Sequence, residues 1–350
     1  MSRIRVLIVE DSLVVRELLA HIIGADGRFE VVGAVESAED GLRLLDELRP
    51  DVISLDIRLP GMNGLDATLR IMARRPTPIV VVAAQVDDDE LNIAMNALRA
   101  GALAVVEKPV GVSNAAFDTV AARLCTQLAI MSQVKVVPQR IDRGLRFGTA
   151  EPPPRQRAGA AYSTIGIVSS TGGPQALTQL LGALGPGFPL PILLVQHITA
   201  SFLDGFVGWL SGVTPFQVRI AGPDEVPAAG CVYVPPADRH LALRGGRLAM
   251  LDTPPVCSQK PSGSVLLSSM ARDLGGRGIG VILTGMGSDG ADGLLDMHRA
   301  GAATIVQDEA TSVVYGMPAA AARLGAAREV LPLGEIAARL RELAAEGGKR

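Results

Sequence analysis

Residues 165–173 read Ile-Gly-Ile-Val-Ser-Ser-Thr-Gly-Gly, an apolar run that ends on three hydroxyl side chains and two glycines. Pro174 and an apolar helical pattern follow. Proline suits the first turn of a helix, where its missing N–H needs no partner. The glycines permit a tight turn and let backbone N–H groups face a ligand at the helix N-terminus. This stretch therefore predicts a strand, a turn and a helix that bring a hydroxyl to the carboxyl edge of a parallel sheet, as a nucleophile or an anion ligand.

The composition limits the classes of protein to which this chain can belong and indicates its cellular compartment. At 350 residues, the chain is long enough for two domains, each with its own hydrophobic core. A net charge of −3 and an aromatic content of 3% argue against nucleic-acid binding. Despite a mean hydropathy of +0.31, no apolar run reaches the roughly eighteen residues of a membrane span. The first residues do not resemble a signal peptide, and three scattered cysteines (Cys125, Cys231 and Cys257) predict the reducing cytoplasm, without a disulfide framework or zinc site.

The N-terminal part alternates between apolar runs and helical patterns. Five predicted strands cover residues 5–9, 31–35, 52–55, 79–82 and 104–106, and helical patterns cover residues 13–23, 38–48, 91–100 and 114–137. This alternation is typical of an α/β fold with a doubly wound parallel sheet.

Charged residues stand at the carboxyl ends of these predicted strands. They are Glu10, Asp11, Asp56 and Lys108, and strand ends of a parallel sheet share one crevice. Three carboxylates suit a hard cation such as Mg²⁺, Asp56 could accept a phosphoryl group, and Lys108 could contact phosphate oxygens. The alternative is that these acids are solvated loop residues.

This part resembles the receiver domain of two-component response regulators over about residues 3–125. The matching features are the Glu10-Asp11 pair, Asp56 in Asp-Ile-Arg-Leu-Pro-Gly-Met-Asn-Gly, and Lys108-Pro109. The resemblance implies a (βα)5 fold and phosphorylation of Asp56 by a histidine kinase, with Mg²⁺ held by Glu10, Asp11 and Asp56. The chain departs from the pattern at Ala83, where receivers carry Ser or Thr, and at Val105, where they carry Tyr or Phe.

The region after the predicted receiver has the composition of a linker. Residues 138–161 include three consecutive prolines and five arginines, which favour an extended, solvated chain. The arginines could instead contact nucleic acid or a membrane surface, but aromatic residues do not alternate with them. We therefore divide the chain into a receiver at residues 1–125, a linker at 126–160 and a second domain at 161–347.

The second domain repeats the strand–helix alternation. Predicted strands cover residues 165–169, 192–196, 217–221, 280–284, 304–306 and 329–331; predicted helices cover residues 175–184, 202–210, 265–274, 291–300, 317–324 and 333–345. Residues 240–251 differ, because two short alternating runs meet at Gly245-Gly246, a hairpin signal. We expect a second doubly wound, Rossmann-like sheet that carries one antiparallel hairpin.

Three polar residues follow strands of this second sheet: Ser170, His197 and Asp289. Attack by a hydroxyl needs a base, and the base needs a partner that holds its tautomer. The backbone N–H groups of Thr171 and Met286 could form an oxyanion hole. The residues alone leave alternatives open: Ser169 could be the reactive hydroxyl, and the Thr-Gly-Gly turn could bind an anion or simply turn the chain.

The order of four motifs resembles the CheB family of chemotaxis protein-glutamate methylesterases and glutamine deamidases. The motifs are Ser-Thr-Gly-Gly, Gln-His, Leu-Thr-Gly-Met-Gly-x-Asp-Gly and Tyr-Gly-Met-Pro. The resemblance implies Ser170 as nucleophile, His197 as base and Asp289 as orienting acid, with Thr171 and Met286 beside them. It also implies that no metal serves this domain.

The same resemblance implies the biological setting. The substrates would be glutamyl γ-methyl esters on methyl-accepting chemoreceptors, which yield glutamate and methanol, and receptor glutamines. The receiver would cover the active site until a CheA-type kinase phosphorylates it. One departure is Ser264, where family members carry an acid after Arg-Pro-Ser-x; here residues 260–262 read Lys-Pro-Ser. Two other readings are a hydrolase of a non-chemotactic array and an adaptor that only binds receptors.

Overall fold

The structure is a computed structural model that describes residues 3–83, 88–109, 114–134, 136 and 162–346. The chain divides into two compact units, Met1–Arg146 and Phe147–Arg350. Within the described ranges, no helix is long and apolar enough to cross a membrane. The predicted linker's prolines and arginines lie in residues 137–161, outside the described residues.

The first unit contains a five-stranded parallel sheet. Its strands are β1 (Ile4–Val9), β2 (Phe29–Val35), β3 (Val52–Asp56), β4 (Ile79–Ala83) and β5 (Ala104–Glu107), in the order β2-β1-β3-β4-β5. The centre of the sheet is fully buried, as expected for parallel strands covered on both faces. The predicted doubly wound fold is confirmed.

Five helices connect and follow these strands: α1 (Leu13–Ala25), α2 (Ala38–Leu48), α3 (Gly64–Arg74), α4 (Asp88–Arg99) and α5 (Asn114–Met131). Helix α3 is not among the helices predicted from the sequence. Its start is nonetheless encoded locally, because the Asn63 side chain accepts a hydrogen bond from the Asp66 N–H as an N-cap. Helix α5 continues six residues beyond position 125, the predicted end of the receiver.

The second unit contains a seven-stranded parallel sheet. Its strands are β6 (Thr164–Ser169), β7 (Ile192–Gln196), β8 (Gln217–Ile220), β9 (Cys231–Val234), β12 (Gly278–Ile282), β13 (Ala303–Gln307) and β14 (Glu329–Leu331), in the order β14-β13-β12-β6-β7-β9-β8. Strands β10 (His240–Arg244) and β11 (Arg247–Leu251) form the predicted antiparallel hairpin, which turns at Gly245 and Gly246. This fold too is confirmed.

Strand β9 is the element of this sheet that the sequence analysis missed. It inserts between β7 and β8 and is parallel to both. The ten residues that join β8 to β9 contain no helix, so the usual strand–helix alternation gives no signal there. The Tyr233 hydroxyl in β9 instead accepts a hydrogen bond from the Ala228 N–H at 3.0 Å and thereby anchors this connection.

The described part of the second unit contains six α-helices: α6 (Gly173–Leu184), α7 (Ala200–Val213), α8 (Gly263–Leu274), α9 (Ala291–Arg299), α10 (Met317–Arg323) and α11 (Leu333–Glu346). Helices α8 and α9 contribute Leu267, Met270 and Leu294 to a buried cluster with Val168 of β6. The hairpin packs on α8, where the Leu243 N–H donates to Ser269 Oγ at 2.9 Å. This packing brings the N-terminus of α8 to the carboxyl edge of the sheet.

Candidate active site

The two serines after β6 have different surroundings. Ser169 is the last residue of β6 and is fully buried, and its hydroxyl donates a 2.7 Å hydrogen bond to Gln196 Oε1. Ser170 is the next residue and is half-buried at the edge of the sheet. A nucleophile must reach solvent-borne substrate, so Ser170 is the better candidate of the two.

Gln196, the last residue of β7, forms hydrogen bonds to the backbone of both Ser170 and His197. Its Nε2 donates to the carbonyl oxygen of Ser170 at 2.9 Å and to that of His197 at 3.0 Å. The side chain is 4% exposed. It therefore ties the ends of β6 and β7 together at the candidate site. The Gln-His motif contains Gln196, but the sequence alone gave this residue no role.

His197 and Asp289 form a buried pair. His197 Nε2 lies 2.8 Å from Asp289 Oδ2, and the two side chains are 9% and 2% exposed. Asp289 follows β12 in the loop before α9, so two different strand ends supply the pair. The predicted proximity of base and acid is present.

Three further donors surround the Asp289 carboxylate at the start of α8. The Ser262 hydroxyl donates to Oδ1 at 2.5 Å, the Gly263 N–H to Oδ2 at 2.6 Å and the Ser264 N–H to Oδ1 at 3.1 Å. The N-terminus of a helix leaves its first N–H groups without intrahelical partners, and its dipole favours an anion. Asp289 therefore lies in a site built to hold a carboxylate.

These contacts set the charge of Asp289. Burial alone would raise its pKa, but the hydrogen bonds from His197, Ser262 and the Gly263 N–H outweigh burial and hold the pKa below its usual value. Asp289 is therefore ionised at neutral pH and accepts from all four donors. His197 must carry its proton on Nε2, and Nδ1 is the nitrogen that can accept a proton. Within the described residues, this buried Nδ1 has no hydrogen-bond partner.

Two backbone N–H groups beside Ser170 are also free. Within the described residues, the N–H groups of Thr171 and Met286 donate to no other protein atom. Their loops are close, because a Cβ added to Gly285 would lie 2.8 Å from the Cβ of Ser170. Gly172 caps α6 at φ +76°, a left-handed conformation that favours glycine. The Thr171 and Met286 N–H groups therefore stay the candidate donors for an oxyanion.

Ser264, which occupies the position of the expected acid, forms hydrogen bonds to the loop that carries Asp289. It is 6% exposed, and its hydroxyl accepts a 2.8 Å hydrogen bond from the Gly290 N–H. Since the Ser264 N–H donates to Asp289, Ser264 and the Asp289-Gly290 pair bond to each other in both directions. The serine therefore helps to fix the candidate acid. The signal in the sequence was the Lys-Pro-Ser-Gly-Ser segment at residues 260–264, which was interpreted as a loop that shapes the substrate cleft.

The first unit has its own polar site at the ends of β1, β3 and β5. Carboxylate oxygens of Glu10, Asp11 and Asp56 lie within 4.8 Å of one another. Lys108 Nζ is 2.9 Å from Glu10 Oε2 and 2.9 Å from Asp56 Oδ2. The structure thus brings together all four charged residues that the sequence singled out. Ala83, at the end of β4, is 1% exposed.

Burial dominates the electrostatics of this acidic site. Burial, reinforced by the negative charge of Asp56, raises the pKa of Glu10 to about 7. Burial also raises the pKa of Asp56, against the opposing effect of Lys108. Close, partly desolvated carboxylates favour a bound cation, and three oxygen donors match the ligand preference of Mg²⁺. The side chains present therefore fit a magnesium ion.

Comparisons with known proteins match one family model to each part of the chain. The family model described as CheB methylesterase matches residues 165–340, and the model described as response regulator receiver domain matches residues 6–116. The chain is 70% identical to protein-glutamate methylesterase/protein-glutamine glutaminase 2 of Paramagnetospirillum magneticum, with 99% of each chain covered. It is 41% identical to protein-glutamate methylesterase/protein-glutamine glutaminase 4 of Myxococcus xanthus, with 96% of each covered.

A solved structure is similar to the second unit. The crystal structure of the CheB methylesterase catalytic domain of Thermotoga maritima is 33% identical and aligns with a TM-score of 0.50. The alignment covers 52% of this chain and 98% of that domain. The second unit therefore has the architecture of that domain.

Proposed function

The chain belongs to the CheB methylesterase family and carries a response regulator receiver domain, and from this premise we propose how it acts and on what. It is a protein-glutamate methylesterase/protein-glutamine glutaminase. The proposed substrates are γ-methyl esters and amides of glutamyl side chains on methyl-accepting chemoreceptors, and the proposed setting is sensory adaptation in the cytoplasm.

In the proposed first step, Ser170 attacks the ester carbonyl carbon. As the Oγ–C bond forms, the hydroxyl proton moves to His197 Nδ1, and the Thr171 and Met286 N–H groups bind the oxygen that becomes negative. The bond to the methoxy group then breaks, and its oxygen takes the proton from His197 and leaves as methanol. An acyl group remains on Ser170.

In the second step, water releases the acyl group. Water gives a proton to His197 Nδ1 as its oxygen attacks the acyl carbon, and Ser170 Oγ leaves with that proton. The product is a glutamate side-chain carboxylic acid, which loses its remaining proton to solvent and becomes the carboxylate. A glutamine side chain follows the same course, except that ammonia leaves in the first step.

The observation that carries this mechanism is the assignment of the two nitrogens of His197. The ionised Asp289 accepts a 2.8 Å hydrogen bond from Nε2, which leaves Nδ1, without a partner among the described residues, to take the proton of Ser170. During the reaction, the same carboxylate stabilises the imidazolium that forms. An adaptor that only binds receptors would have no use for a buried base held in one tautomer.

The test is methanol release from methyl-labelled receptor membranes by matched serine variants. We expect Ser170→Ala to abolish release. Ser169→Ala, one residue away, should retain a nucleophile and release methanol, because it loses a 2.7 Å hydrogen bond to Gln196 and no reacting group. Release by folded Ser170→Ala at the wild-type rate would contradict the assignment. Absence of release by the wild-type protein would favour the adaptor reading.

We further propose that the receiver accepts a phosphoryl group on Asp56 from a CheA-type histidine kinase. Glu10, Asp11 and Asp56 would hold Mg²⁺, and Lys108 would contact phosphate oxygens. The ion, when bound, supplies positive charge that offsets the charge of the phosphoryl group. The support is the 4.8 Å cluster of three carboxylates beside Lys108.

Acetyl phosphate with Mg²⁺ tests this second site. We expect acyl-phosphate labelling of the wild-type protein, no labelling of Asp56→Asn, and a rise in methanol release of the wild-type protein alone. Asp56→Asn should keep the basal esterase rate. Acyl-phosphate labelling of Asp56→Asn would contradict the assignment of Asp56. A rate of methanol release that is the same with and without acetyl phosphate would contradict regulation by the receiver.

A further inference from the structure

His240 is a buried polar residue that the proposed mechanism does not use. It begins β10 and is fully buried. Its Nδ1 lies 3.1 Å from the backbone nitrogen of Ser262, and its Nε2 lies 3.1 Å from the carbonyl oxygen of Pro254. A backbone N–H can only donate and a carbonyl can only accept. His240 is therefore neutral, with its proton on Nε2 and an acceptor at Nδ1.

His240 accepts a hydrogen bond from the backbone of Ser262, and the side chain of Ser262 in turn donates to Asp289. Ser262 is the N-cap residue of α8, and its hydroxyl donates to Asp289 Oδ1 at 2.5 Å. The next N–H, of Gly263, donates to Asp289 Oδ2 at 2.6 Å. A shift of the Ser262 backbone would therefore displace two of the four donors on this carboxylate. The Ser262 N–H itself would lose its partner in the interior, which is costly.

We propose that His240 is a positioning residue for the esterase reaction. Its Nδ1 holds the Ser262 backbone, so that Ser262 and Gly263 keep Asp289 oriented toward His197. The inference rests on the proposed function of Ser170, His197 and Asp289. His240 contacts none of the reacting atoms, and the hairpin that carries it lies outside the main sheet.

Two substitutions distinguish the roles of the two ring nitrogens of His240, because each variant keeps only one of the two hydrogen bonds. In His240→Asn, the amide oxygen can occupy the place of Nδ1 and accept from the Ser262 N–H. In His240→Gln, the longer side chain can replace the Nε2 donor to Pro254 and leaves the Ser262 N–H without an acceptor. Both variants remove the ring, so each controls for the lost packing of the other.

Methanol release by the full-length protein is measured as kcat and KM, with melting curves that show each variant folded at the assay temperature. We expect His240→Gln to lower kcat by about 10- to 100-fold, because small displacements of catalytic groups have effects of that size. KM should stay unchanged, and His240→Asn should retain kcat within about threefold. Equal kcat values for the two variants, or an effect confined to KM, would overturn the proposal.

A second readout does not depend on esterase activity. The proton on His197 Nε2, shared with Asp289, should give a downfield nuclear magnetic resonance signal that Asp289→Asn removes. We expect His240→Gln to shift or broaden this signal and His240→Asn to preserve it; an unchanged signal in His240→Gln overturns the proposal even if the wild-type protein releases no methanol. If His240→Gln does not fold, Ser262→Ala decides: wild-type kcat and an unchanged signal would overturn it.

Discussion

Replacing Asp289 by asparagine removes a buried negative charge and keeps the shape of the side chain. The carboxylate accepts four hydrogen bonds, two on each oxygen. The amide offers one oxygen, so its NH₂ group must face either Ser262 and Ser264 or Gly263 and His197. In either orientation, groups that donated to the carboxylate meet a donor.

The structure sets the size of the expected effect on stability. A buried donor left without an acceptor costs about 1–3 kcal/mol. His197 can change its tautomer and Ser262 can rotate its hydroxyl, whereas the backbone N–H groups cannot adapt. We therefore expect Asp289→Asn to lower the free energy of unfolding of the second unit by about 2–4 kcal/mol, measured by urea denaturation.

The effect on catalysis should be larger. If the asparagine NH₂ faces His197, Nε2 must become an acceptor and the proton moves to Nδ1, which can then no longer take the proton of Ser170. The corresponding change in other Ser-His-Asp enzymes lowers kcat by about 10⁴-fold, equivalent to about 5 kcal/mol of activation free energy. We expect a loss of that order in methanol release, with little change in KM.

The pH dependence follows from the lowered pKa of Asp289. A carboxyl whose pKa is lower in the folded state stabilises the fold above its unfolded-state pKa of about 3.8, and this stabilisation is lost as the pH falls through the folded-state value. The difference in unfolding free energy between wild type and Asp289→Asn should therefore be constant near neutral pH and shrink below about pH 4.

The matched control is Asp292→Asn, the same chemical change three residues later, on the exposed first turn of α9. It should leave kcat within about twofold and stability within about 0.5 kcal/mol of wild type. Folded Asp289→Asn that releases methanol within tenfold of the wild-type rate would refute the role assigned to the carboxylate. Equal losses in both variants would refute the specificity of the effect.

Three further substitutions test residues that position the candidate active site without taking part in the reaction. Gly172→Ala should destabilise the second unit by at least about 2 kcal/mol in urea denaturation, because φ is +76° and the new Cβ would lie 2.5 Å from the Cβ of Val313; unchanged stability would contradict this. Ser264→Ala should lower the free energy of unfolding of the second unit by about 1–3 kcal/mol, because it leaves the buried Gly290 N–H without its acceptor. Ser264→Thr, which keeps the hydroxyl, is the control. Gln196→Ala should lower kcat more than it raises KM, because it frees two carbonyl groups at the ends of β6 and β7; an effect on KM alone would count against a role in positioning.

The fold was predictable to the extent that local signals specify it. Apolar runs, glycines and prolines marked both parallel sheets and the hairpin at Gly245-Gly246. Strand β9 escaped because it has four residues and no helix precedes it. Its four residues, Cys-Val-Tyr-Val between Gly230 and Pro235, do carry a short strand signal, but only its pairing with β7 and β8 gives its place in the sheet.

The candidate site was predictable as a set of residues and not as a geometry. Ser170, His197 and Asp289 follow strands of one parallel sheet, and such strand ends meet at one edge. The ends of β1, β3 and β5 likewise bring Glu10, Asp11, Asp56 and Lys108 together in the first unit. Strand ends do not reveal Ser262 or His240, which belong to a helix cap and a hairpin that only packing brings to that edge.

The sequence by itself determined the two α/β units and the edge on which each set of polar residues lies, because hydrophobic periodicity and turn residues act between near neighbours in the chain. Only the tertiary structure decided that the Ser169 hydroxyl bonds to Gln196, that His197 bonds to Asp289 through Nε2, and that Ser262 bonds to both Asp289 and His240. Each of these outcomes depends on a hydrogen bond between residues 22 to 92 positions apart. Such contacts form only when whole strands and helices pack, since no local preference specifies the direction of a donor toward a distant acceptor.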